Sequence, residues 1–396
     1  IDEEWGNDLI ASWSQNGWFD APVRVGNKVA KLLGADDGEV IIADSVSVNI
    51  LKALCAAVSL NPGRKIMLSE SGNFPTDLYL MEGLANFSKS LANGNADGSL
   101  ELQLLRPRTY GGSKTDHNEQ GKSSQALLIN QVIAPAEVQN HLTEDVAVLL
   151  LTQVHYKTAE VKDMAAITKL AHEKGILVIW DLSHSIGSVP VDLHEVNADF
   201  AVGCGYKFLN GGPGAPAFLY VAKRHQADAN PILAGWMGHK DPFAFTDDYK
   251  PATDVSRFRC GTPPILSLTA LESGVDLMLE ADIHQLRKKA LQLSRLFMKL
   301  MQQECGEYGF ELVSPDEDER RGGHVSYYHE EGHGIYQAVK KRGIISDYRT
   351  PGVLRFGITP LYLRFVDIHH AVQSIKEVME NKEWDREEYR TRSTIT

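Results

Sequence analysis

The sequence predicts an α/β protein, with a large domain built on a mainly parallel sheet and a smaller α+β domain after it. Between residues 40 and 222, short apolar runs alternate with helix-like segments, which is typical of a parallel sheet covered by helices. From about residue 256 the order changes, because long helix-like segments come first and short strand-like runs follow. We therefore expect an N-terminal helical segment over 1–20, a large domain over 21–255, and a connecting helix with a small domain over 256–396.

Composition excludes several classes of protein. The chain of 396 residues carries a formal net charge of -12 and no basic cluster, which argues against nucleic acid or an anionic membrane as a partner. No apolar run approaches the roughly 18 residues that a membrane span requires. The four cysteines lie far apart without a C-x-x-C pair, so neither a metal site nor a disulfide framework is indicated. This cysteine usage fits a reducing cytoplasm.

The large domain begins with helix-like material, and its strands are short and strongly apolar. The predicted strands are VIIAD (40–44), KIMLSE (65–70), LELQLL (100–105), VAVLLLTQV (146–154), ILVIWD (176–181), DFAVG (199–203) and PAFLYVA (216–222). The predicted helices are EEWGNDLIASW (3–13), VRVGNKVAKLLG (23–34), SVSVNILKALCAAVSL (45–60), DLYLMEGLANF (77–87) and DMAAITKLAHEKG (163–175). The polar stretch 106–125 reads as a surface loop.

The C-terminal part begins with two helices, 262–279 behind two prolines and the long amphipathic 281–303, which suits a domain connector. The segments ELV (311–313), HVSYYH (324–329) and VLRFGIT (353–359) are predicted strands, with helices over 335–343 and 366–381. The charged run SPDEDERR (314–321) is predicted to be a solvated loop.

Lys207 lies between the apolar strand 199–203 and a glycine-rich turn, GYKFLNGGPG (205–214). Taken alone, it is either a loop lysine that reaches solvent or a desolvated amine that forms a Schiff base with an aldehyde cofactor. Asp181, 26 residues earlier, ends a buried strand. A lysine and an aspartate at the carboxyl ends of neighbouring strands suit pyridoxal phosphate, because the lysine holds the cofactor while the aspartate keeps its ring nitrogen protonated. The pair predicts a pyridoxal phosphate enzyme of the aminotransferase-like fold, fold type I.

Further residues are candidates for the same site. Ser45 and Ser47 precede a helix and can bind phosphate, or they are N-caps. In NFPTDLY (73–79), Phe74 can cover the cofactor ring, whereas Thr76 and Asp77 contact the cofactor or belong to the first turn of a helix.

Two more candidates also have alternative interpretations. His184 contacts the cofactor or is a satisfied loop histidine. Arg355, flanked by apolar residues, is a clamp for a substrate carboxylate or a salt-bridged residue.

Six segments together resemble the kynureninase family, whose members are pyridoxal phosphate-dependent hydrolases of the aminotransferase class V fold. The segments are GYKFLNGGPGAPAFLYV (205–221), DLSHSIG (181–187), NFPTDLY (73–79), GWMGH (235–239), RFRCGTPPIL (257–266) and LRFGITPLY (354–362). The resemblance extends from about Trp18 to Val378. It implies hydrolysis of L-kynurenine, and possibly of 3-hydroxy-L-kynurenine, to the corresponding anthranilate and L-alanine.

The resemblance also implies a set of site residues. Lys207, Asp181 and Tyr206 are implied as catalytic and Arg355 as the substrate-carboxylate clamp. The cofactor-binding residues implied are Val46, Ser47, Phe74, Pro75, Thr76, Asp77, Thr152, Asp181, His184, Tyr206, Lys207, Trp236 and Thr262. A cytoplasmic homodimer with shared active sites is implied, in which Trp236 and Thr262 reach the site of the other subunit.

One departure from the family pattern concerns the start of the chain. Family members usually begin with a Y-L-D-G-N-S-L-G-like motif that helps to form the active-site wall, and nothing here matches it. We expect the chain to be truncated there, which puts its full activity in question.

Two rival functions stay open. A class V cysteine desulfurase or lyase would need a reactive loop cysteine, for which Cys305 is the nearest candidate, although a core position at a helix end suits it better. A non-catalytic protein could keep the fold without turnover. A nicotinamide-binding Rossmann protein is excluded, because no G-x-G-x-x-G follows the first strands.

Overall fold

The computed structural model describes residues 1–92, 98–106 and 133–389. The chain divides into two compact units. The first comprises Ile1–Arg106, Ala134–Gln153 and Asp163–Asp282, and the second includes Val154–Lys162 and the chain from Ile283 onward. Residues 256–282 thus group with the larger unit. The domain limits at 20/21 and 255/256 stay a prediction.

The first unit contains most of the predicted strands and helices. Its strands are β1 Val40–Ile42, β2 Ile66–Glu70, β3 Glu101–Leu105, β4 Val146–Thr152, β5 Leu177–Asp181, β6 Phe200–Cys204 and β7 Ala217–Val221. Its helices are α1 Ser12–Gln15, α2 Ala21–Leu32, α3 Val46–Leu60, α4 Pro75–Leu91, α5 Pro135–Gln139, α6 Met164–His172, α7 Lys223–Gln226 and α8 Ile265–Leu279. Local chemistry fixes several ends: Ser45 caps α3, Pro75 begins α4, and the Asp163 carboxylate accepts from the Ala166 N–H at 2.9 Å.

The strands form one seven-stranded sheet in the order β1-β7-β6-β5-β4-β2-β3. The pairs from β6 through β5, β4 and β2 to β3 are parallel, whereas β7 runs antiparallel to both β6 and β1. Every residue of β4 and β6 is buried, as expected for strands covered by helices on both faces. This mainly parallel sheet confirms the predicted α/β fold class.

Because β1 to β6 all run in the same direction, their carboxyl ends meet at one edge of the sheet. The turns that follow β1, β2, β5 and β6, together with the last residue of β4, lie along this edge. In open α/β sheets this edge is where ligands bind. The opposite edge is stabilised by buried Asp199, which accepts hydrogen bonds from His172, His225, Arg224 and the Val178 N–H.

The second unit is a small α+β structure. Its strands β8 Glu311–Leu312, β9 His324–Tyr328, β10 Asp347–Arg349 and β11 Val353–Gly357 form an antiparallel sheet in the order β10-β11-β9-β8. Its helices are α9 Ile283–Cys305, α10 Gly332–Lys341 and α11 Phe365–Glu380. Side chains of all three helices join those of the strands in one apolar core.

One predicted helix was wrong, one strand was missed, and one predicted loop was only partly solvated. The predicted helix 3–13 is mostly turns, with a 3₁₀ helix at Leu9–Ala11 before the short α1, and the left-handed φ of 50° at Leu9 interrupts it. Strand β10 was missed because it has only three residues. Most of the predicted loop 106–125 lies outside the described residues, as do 93–97 and 390–396.

The predicted solvated loop 314–321 is right only in part, because two of its charged residues, Asp318 and Arg321, are buried. Arg321 is fully buried there, where it pairs with Asp318 and donates to the carbonyl oxygen of Pro315 at 2.8 Å. The charges of Asp318 and Arg321 therefore pair inside the unit, whereas Asp316, Glu317, Glu319 and Arg320 are exposed as predicted. Within the described ranges, no helix is both long and apolar enough to cross a membrane.

Candidate active site

The pair Asp181 and Lys207 lies at the carboxyl edge of the large sheet. Asp181 is the last residue of β5 and is almost completely buried. Lys207 follows β6, the neighbouring strand, and is half-buried. The His184 Nε2 atom lies 3.1 Å from the Lys207 Nζ atom. The structure thus brings three of the predicted residues together.

The turn around Lys207 is tight, and glycines make it possible. The Gly211 N–H donates to the carbonyl of Gly205 at 2.9 Å, and a Cβ at Gly211 would lie 2.7 Å from that oxygen. Gly212 adopts a left-handed φ of 74°, which residues with a side chain rarely adopt. The glycine run therefore fixes the backbone that presents Lys207.

Ser183 orients the Asp181 carboxylate, and sequence reasoning missed it. The Ser183 N–H and hydroxyl both donate to Asp181 Oδ1, at 2.9 and 2.6 Å. Burial raises the pKa of Asp181, while these hydrogen bonds and the Lys207 ammonium oppose the rise. An aspartate followed two residues later by serine is a local turn signal that could have identified this contact.

A second carboxyl group, Asp77, lies close enough to interact electrostatically with Asp181. Burial and the Asp181 carboxylate raise the pKa of Asp77 well above its ordinary value, and Lys207 lowers it only in part. Two buried carboxyl groups beside one lysine cannot both ionise at low cost. We therefore assign the proton to Asp77 and the negative charge to Asp181.

Asn73 anchors the turn that carries Phe74, Pro75, Thr76 and Asp77, and it too was missed. Its side-chain oxygen accepts from Thr152 Oγ1 at 2.5 Å and from the Phe74 N–H at 2.7 Å. Thr152 ends β4 directly opposite Asp181 in the parallel register. Asn73 thereby links the turn after β2 to the strand beside Asp181. Its signal in the sequence was its position immediately before the Phe-Pro start of α4.

Helix α3 offers a phosphate site at this edge. Val46 and Ser47 are its first two residues, so their N–H groups lie in the first turn, where helices leave donors without intrahelical partners. Ser45 is the N-cap and accepts from the Val48 N–H at 3.4 Å. Thr76 is not an N-cap, because Phe74 occupies that position before α4.

A buried lysine stabilises the turn before α3. The side chain of Lys52 is fully buried, pairs with the Asp44 carboxylate and donates to the carbonyl oxygen of Phe258 at 2.5 Å. Asp44 adopts a left-handed φ of 48° and is partly exposed. Lys52 therefore joins the predicted phosphate turn to the segment that leads to Thr262.

Tyr206 lies next to the lysine, whose Nζ atom is 5.9 Å from the centre of the tyrosine ring. Burial and the neighbouring Cys204 raise the pKa of Tyr206 to about 12. Its hydroxyl therefore stays protonated at neutral pH.

Trp236 and Thr262 do not join this group within the described residues. Trp236 is exposed and contacts the rings of Phe243 and Phe245, with centroids 5.9 and 6.5 Å away. Thr262 is exposed just before α8. Their roles stay a prediction.

Arg355 belongs to the second unit and lies on β11. It is buried, donates through Nε to Asp347 Oδ1 at 2.6 Å, and also contacts Asp347 through Nη2 and the Tyr156 carbonyl through Nη1. The guanidinium is thus salt-bridged, as one interpretation held. A role as clamp stays a prediction.

One group of side chains has the spacing of a metal site. Asp36, Glu39 and His194 place ligand atoms within 4.8 Å of one another. Glu39 Oε2, however, already accepts from His194 Nε2 at 2.7 Å and from the Asp36 N–H at 3.0 Å. These hydrogen bonds account for the grouping without an ion.

The donors at the carboxyl edge fit pyridoxal phosphate. The helix start can hold a phosphate, Asp181 can face a ring nitrogen, and Lys207 supplies the amine. Asp77 Oδ2 is buried without a hydrogen-bond partner among the described residues, so a polar ligand there would satisfy it.

The fold and this site define a pyridoxal phosphate enzyme of the aminotransferase class V fold. Solved structures with the same fold include a cysteine desulfurase from Thermococcus onnurineus NA1 (TM-score 0.74, 15% identity, covering 92% of this chain and 85% of that one). A cystine C-S lyase in complex with cysteine persulfide also matches (TM-score 0.73, 17% identity, covering 93% of this chain and 88% of that one).

Sequence relatives identify the family. Residues 286–375 match the kynureninase C-terminal domain. The kynureninase of Pseudomonas fluorescens is 42% identical over 400 residues, covering 100% of this chain and 88% of the relative. A kynureninase of Burkholderia pseudomallei is 40% identical with the same coverage. The chain belongs to the kynureninase family, which confirms the predicted resemblance.

Proposed function

We propose that the protein uses pyridoxal 5'-phosphate to hydrolyse L-kynurenine to anthranilate and L-alanine, as a step of tryptophan catabolism. One observation carries the proposal: Asp181, Lys207 and His184 meet at the carboxyl edge of the sheet, in a chain about 40% identical to curated kynureninases. We extend the proposal to 3-hydroxy-L-kynurenine, because an apolar pocket would discriminate an added ring hydroxyl only modestly. That substrate would give 3-hydroxyanthranilate.

Pyridoxal phosphate, when bound, supplies an electron sink for cleavage next to the amino-acid Cα. Lys207 would be the amine that attaches the cofactor, and the same amine would move the Cα proton of the substrate. Asp181, whose pKa Ser183 and Lys207 keep from rising further, would face the ring nitrogen and hold its proton. Phe74 would cover the ring, and His184, Thr152 and Asp77 would complete its surroundings.

A water molecule is added across the Cβ–Cγ bond of the substrate, which breaks. Its oxygen adds to the γ-carbonyl, the Cβ–Cγ bond cleaves, and the carboxyl group of anthranilate keeps that oxygen. Cβ takes a proton and becomes the methyl group of alanine. We assign the donation of this proton to Tyr206, because its ring lies beside Lys207 and its phenol is protonated at neutral pH. Arg355 holds the substrate α-carboxylate.

The active enzyme is proposed to be a cytoplasmic homodimer. The aromatic cluster of Trp236, Phe243 and Phe245 supports this, since all three rings are exposed on the single chain. Covering such a patch with a second copy would bury it and would bring Trp236 and Thr262 to the partner's phosphate.

The test combines cofactor loading with product formation. Wild-type protein with pyridoxal phosphate is expected to show the cofactor absorbance and to release fluorescent anthranilate from L-kynurenine. Lys207→Ala is expected to lose both the covalent absorbance and turnover. Lys223→Ala, which alters an exposed lysine paired with Asp36, serves as the matched control and should keep both.

The rival functions predict other results. Absorbance without anthranilate would indicate a non-catalytic protein. Sulfide release from L-cysteine without anthranilate would indicate a desulfurase. The structure gives that rival little support, because Cys305 is buried in α9 and burial raises the pKa of its thiol to about 11.

A further inference from the structure

The guanidinium of Arg355 has more N–H donors than its hydrogen bonds within the protein use. Asp347 accepts from Nε and Nη2, and the Tyr156 carbonyl accepts from Nη1. These bonds use three of the five N–H donors of an arginine, so two have no partner among the described residues. Asp347 binds along the Nε and Nη2 side of the guanidinium, so the two unused donors, one on Nη1 and one on Nη2, are those that a second carboxylate would bind.

The backbone holds these groups firmly. Asp347 lies directly opposite Arg355 in the antiparallel pairing of β10 and β11. Tyr156 belongs to the segment 154–162, which closes on itself through the hydrogen bond from the His155 N–H to the Glu160 carbonyl at 2.8 Å. Arg355 is therefore oriented before any ligand arrives.

The surroundings of Arg355 carry excess positive charge. Arg349 and Arg355 both act electrostatically on Lys157, and Arg355 also acts on Arg349. In the described part of the chain, Asp347 pairs with Arg355 and lies 3.5 Å from Arg349 Nη2 through its Oδ2. Two arginines thus share one carboxylate, and Lys157 adds a third positive charge near enough to interact with both.

The same interactions shift the pKa values of Lys157 and Arg349. Burial, with Arg349 and Arg355 nearby, lowers the pKa of Lys157. Burial and Arg355 likewise lower the pKa of Arg349, and Asp347 offsets this only in part. A second anion would relieve the repulsion among the three cations.

We infer that Arg349 and Lys157 form, with Arg355, a three-cation subsite for the α-carboxylate of an amino acid, in which Asp347 positions Arg355 and does not compete for it. The inference rests on the proposed function, since it takes Arg355 as the substrate-carboxylate residue. Arg349 and Lys157 act by charge over several ångströms, while Arg355 makes the direct hydrogen bonds. The ligand class is an L-α-amino acid with a free carboxylate.

The test uses two ligands that differ only in charge, L-alanine and L-alaninamide, titrated into the cofactor-loaded protein by calorimetry. Arg349→Gln is expected to weaken alanine binding about tenfold, the size of one unit charge acting across a partly exposed site, and to leave alaninamide binding nearly unchanged. The alanine effect should shrink as ionic strength rises. Arg386→Gln, which removes an arginine beside the exposed Glu388, is the matched control and should change neither affinity.

The Asp347→Asn variant tests whether Asp347 positions the Arg355 guanidinium or competes with the ligand carboxylate for it. A positioning role predicts weaker alanine binding and a raised KM for L-kynurenine, with kcat changed less than about twofold. Tighter alanine binding in Asp347→Asn would show that Asp347 competes for Arg355, and equal losses for alanine and alaninamide in Arg349→Gln would show a purely structural role. Either result overturns the inference. Failure of the proposed function is a separate outcome, because it would appear as absent anthranilate in wild type whatever the alanine titration shows.

Discussion

Lys52 and Asp44 form an ion pair, and removing one or the other should lower the free energy of unfolding by different amounts. The Lys52 side chain is fully buried, whereas that of Asp44 is 33% exposed. Lys52→Met leaves a carboxylate that water can reach, while Asp44→Asn leaves an ammonium that water cannot reach. The asparagine substitution keeps the backbone, because asparagine tolerates the left-handed φ of 48° at this position.

The magnitudes follow from which group is left unpaired. Asp44→Asn should lower the free energy of unfolding by about 3–5 kcal/mol, the usual cost of stranding one charge of a buried pair. Lys52→Met should cost less, about 1–3 kcal/mol, chiefly because the Phe258 carbonyl loses its donor. The double variant removes the stranded cation and should be more stable than Asp44→Asn alone.

Urea unfolding followed by tryptophan fluorescence measures these differences, and equilibrium dialysis measures pyridoxal phosphate affinity alongside. Both single variants should also weaken cofactor binding, since the pair holds the turn before α3. If Lys52→Met were the more damaging change, or if the double variant were the least stable of the three, burial of the ammonium would not be the dominant cost. The reasoning would then be wrong.

Three further predictions concern single residues. Ser183→Ala should lower kcat at least about tenfold, because a hydrogen bond to a charged group contributes about 1.5–3 kcal/mol; unchanged kcat with L-kynurenine would exclude Ser183 from orienting Asp181. Asn73→Ala should weaken pyridoxal phosphate binding more than Thr152→Val does, since Asn73 holds both the Phe74 N–H and Thr152; equal affinities in dialysis would contradict this. Burial would raise the pKa of Asp199, but hydrogen bonds from histidines hold it below its ordinary value, so its stabilisation is present above about pH 4 and is lost as pH falls further. The melting temperatures of wild type and Asp199→Asn should therefore differ at pH 6, and the difference should shrink as pH falls below about 4. A constant difference would refute this assignment.

Local patterns predicted the parts of the fold that depend on local chemistry. The alternation of apolar runs and helices predicted the parallel sheet, because each strand buries both faces and so reads as a continuous apolar run. Asp181 and Lys207 were predicted as neighbours because each follows a buried strand. The two strands prove to be adjacent and parallel.

Contacts between distant residues could not be predicted in this way. Lys52 and Phe258 are 206 residues apart, and nothing near Lys52 in the sequence indicates a buried partner. Arg321 was misjudged for the same reason, since a run of charges reads as solvated unless its internal pairing is known. The contacts of Ser183 with Asp181 and of Asn73 with the Phe74 N–H, by contrast, lie within one turn, so their signals were present and were overlooked. The contact of Asn73 with Thr152 spans 79 residues and had no local signal.

The path of the chain through the second unit has a consequence for folding during synthesis. Residues 154–162 are grouped with the segment from Ile283 onward, and the Tyr156 carbonyl meets Arg355 across 199 residues of sequence. A ribosome releases the N-terminal side first. The segment around Tyr156 must therefore wait, without its native partners, until the strand that carries Arg355 has emerged. The second unit is completed late in translation, and the proposed carboxylate subsite is completed with it.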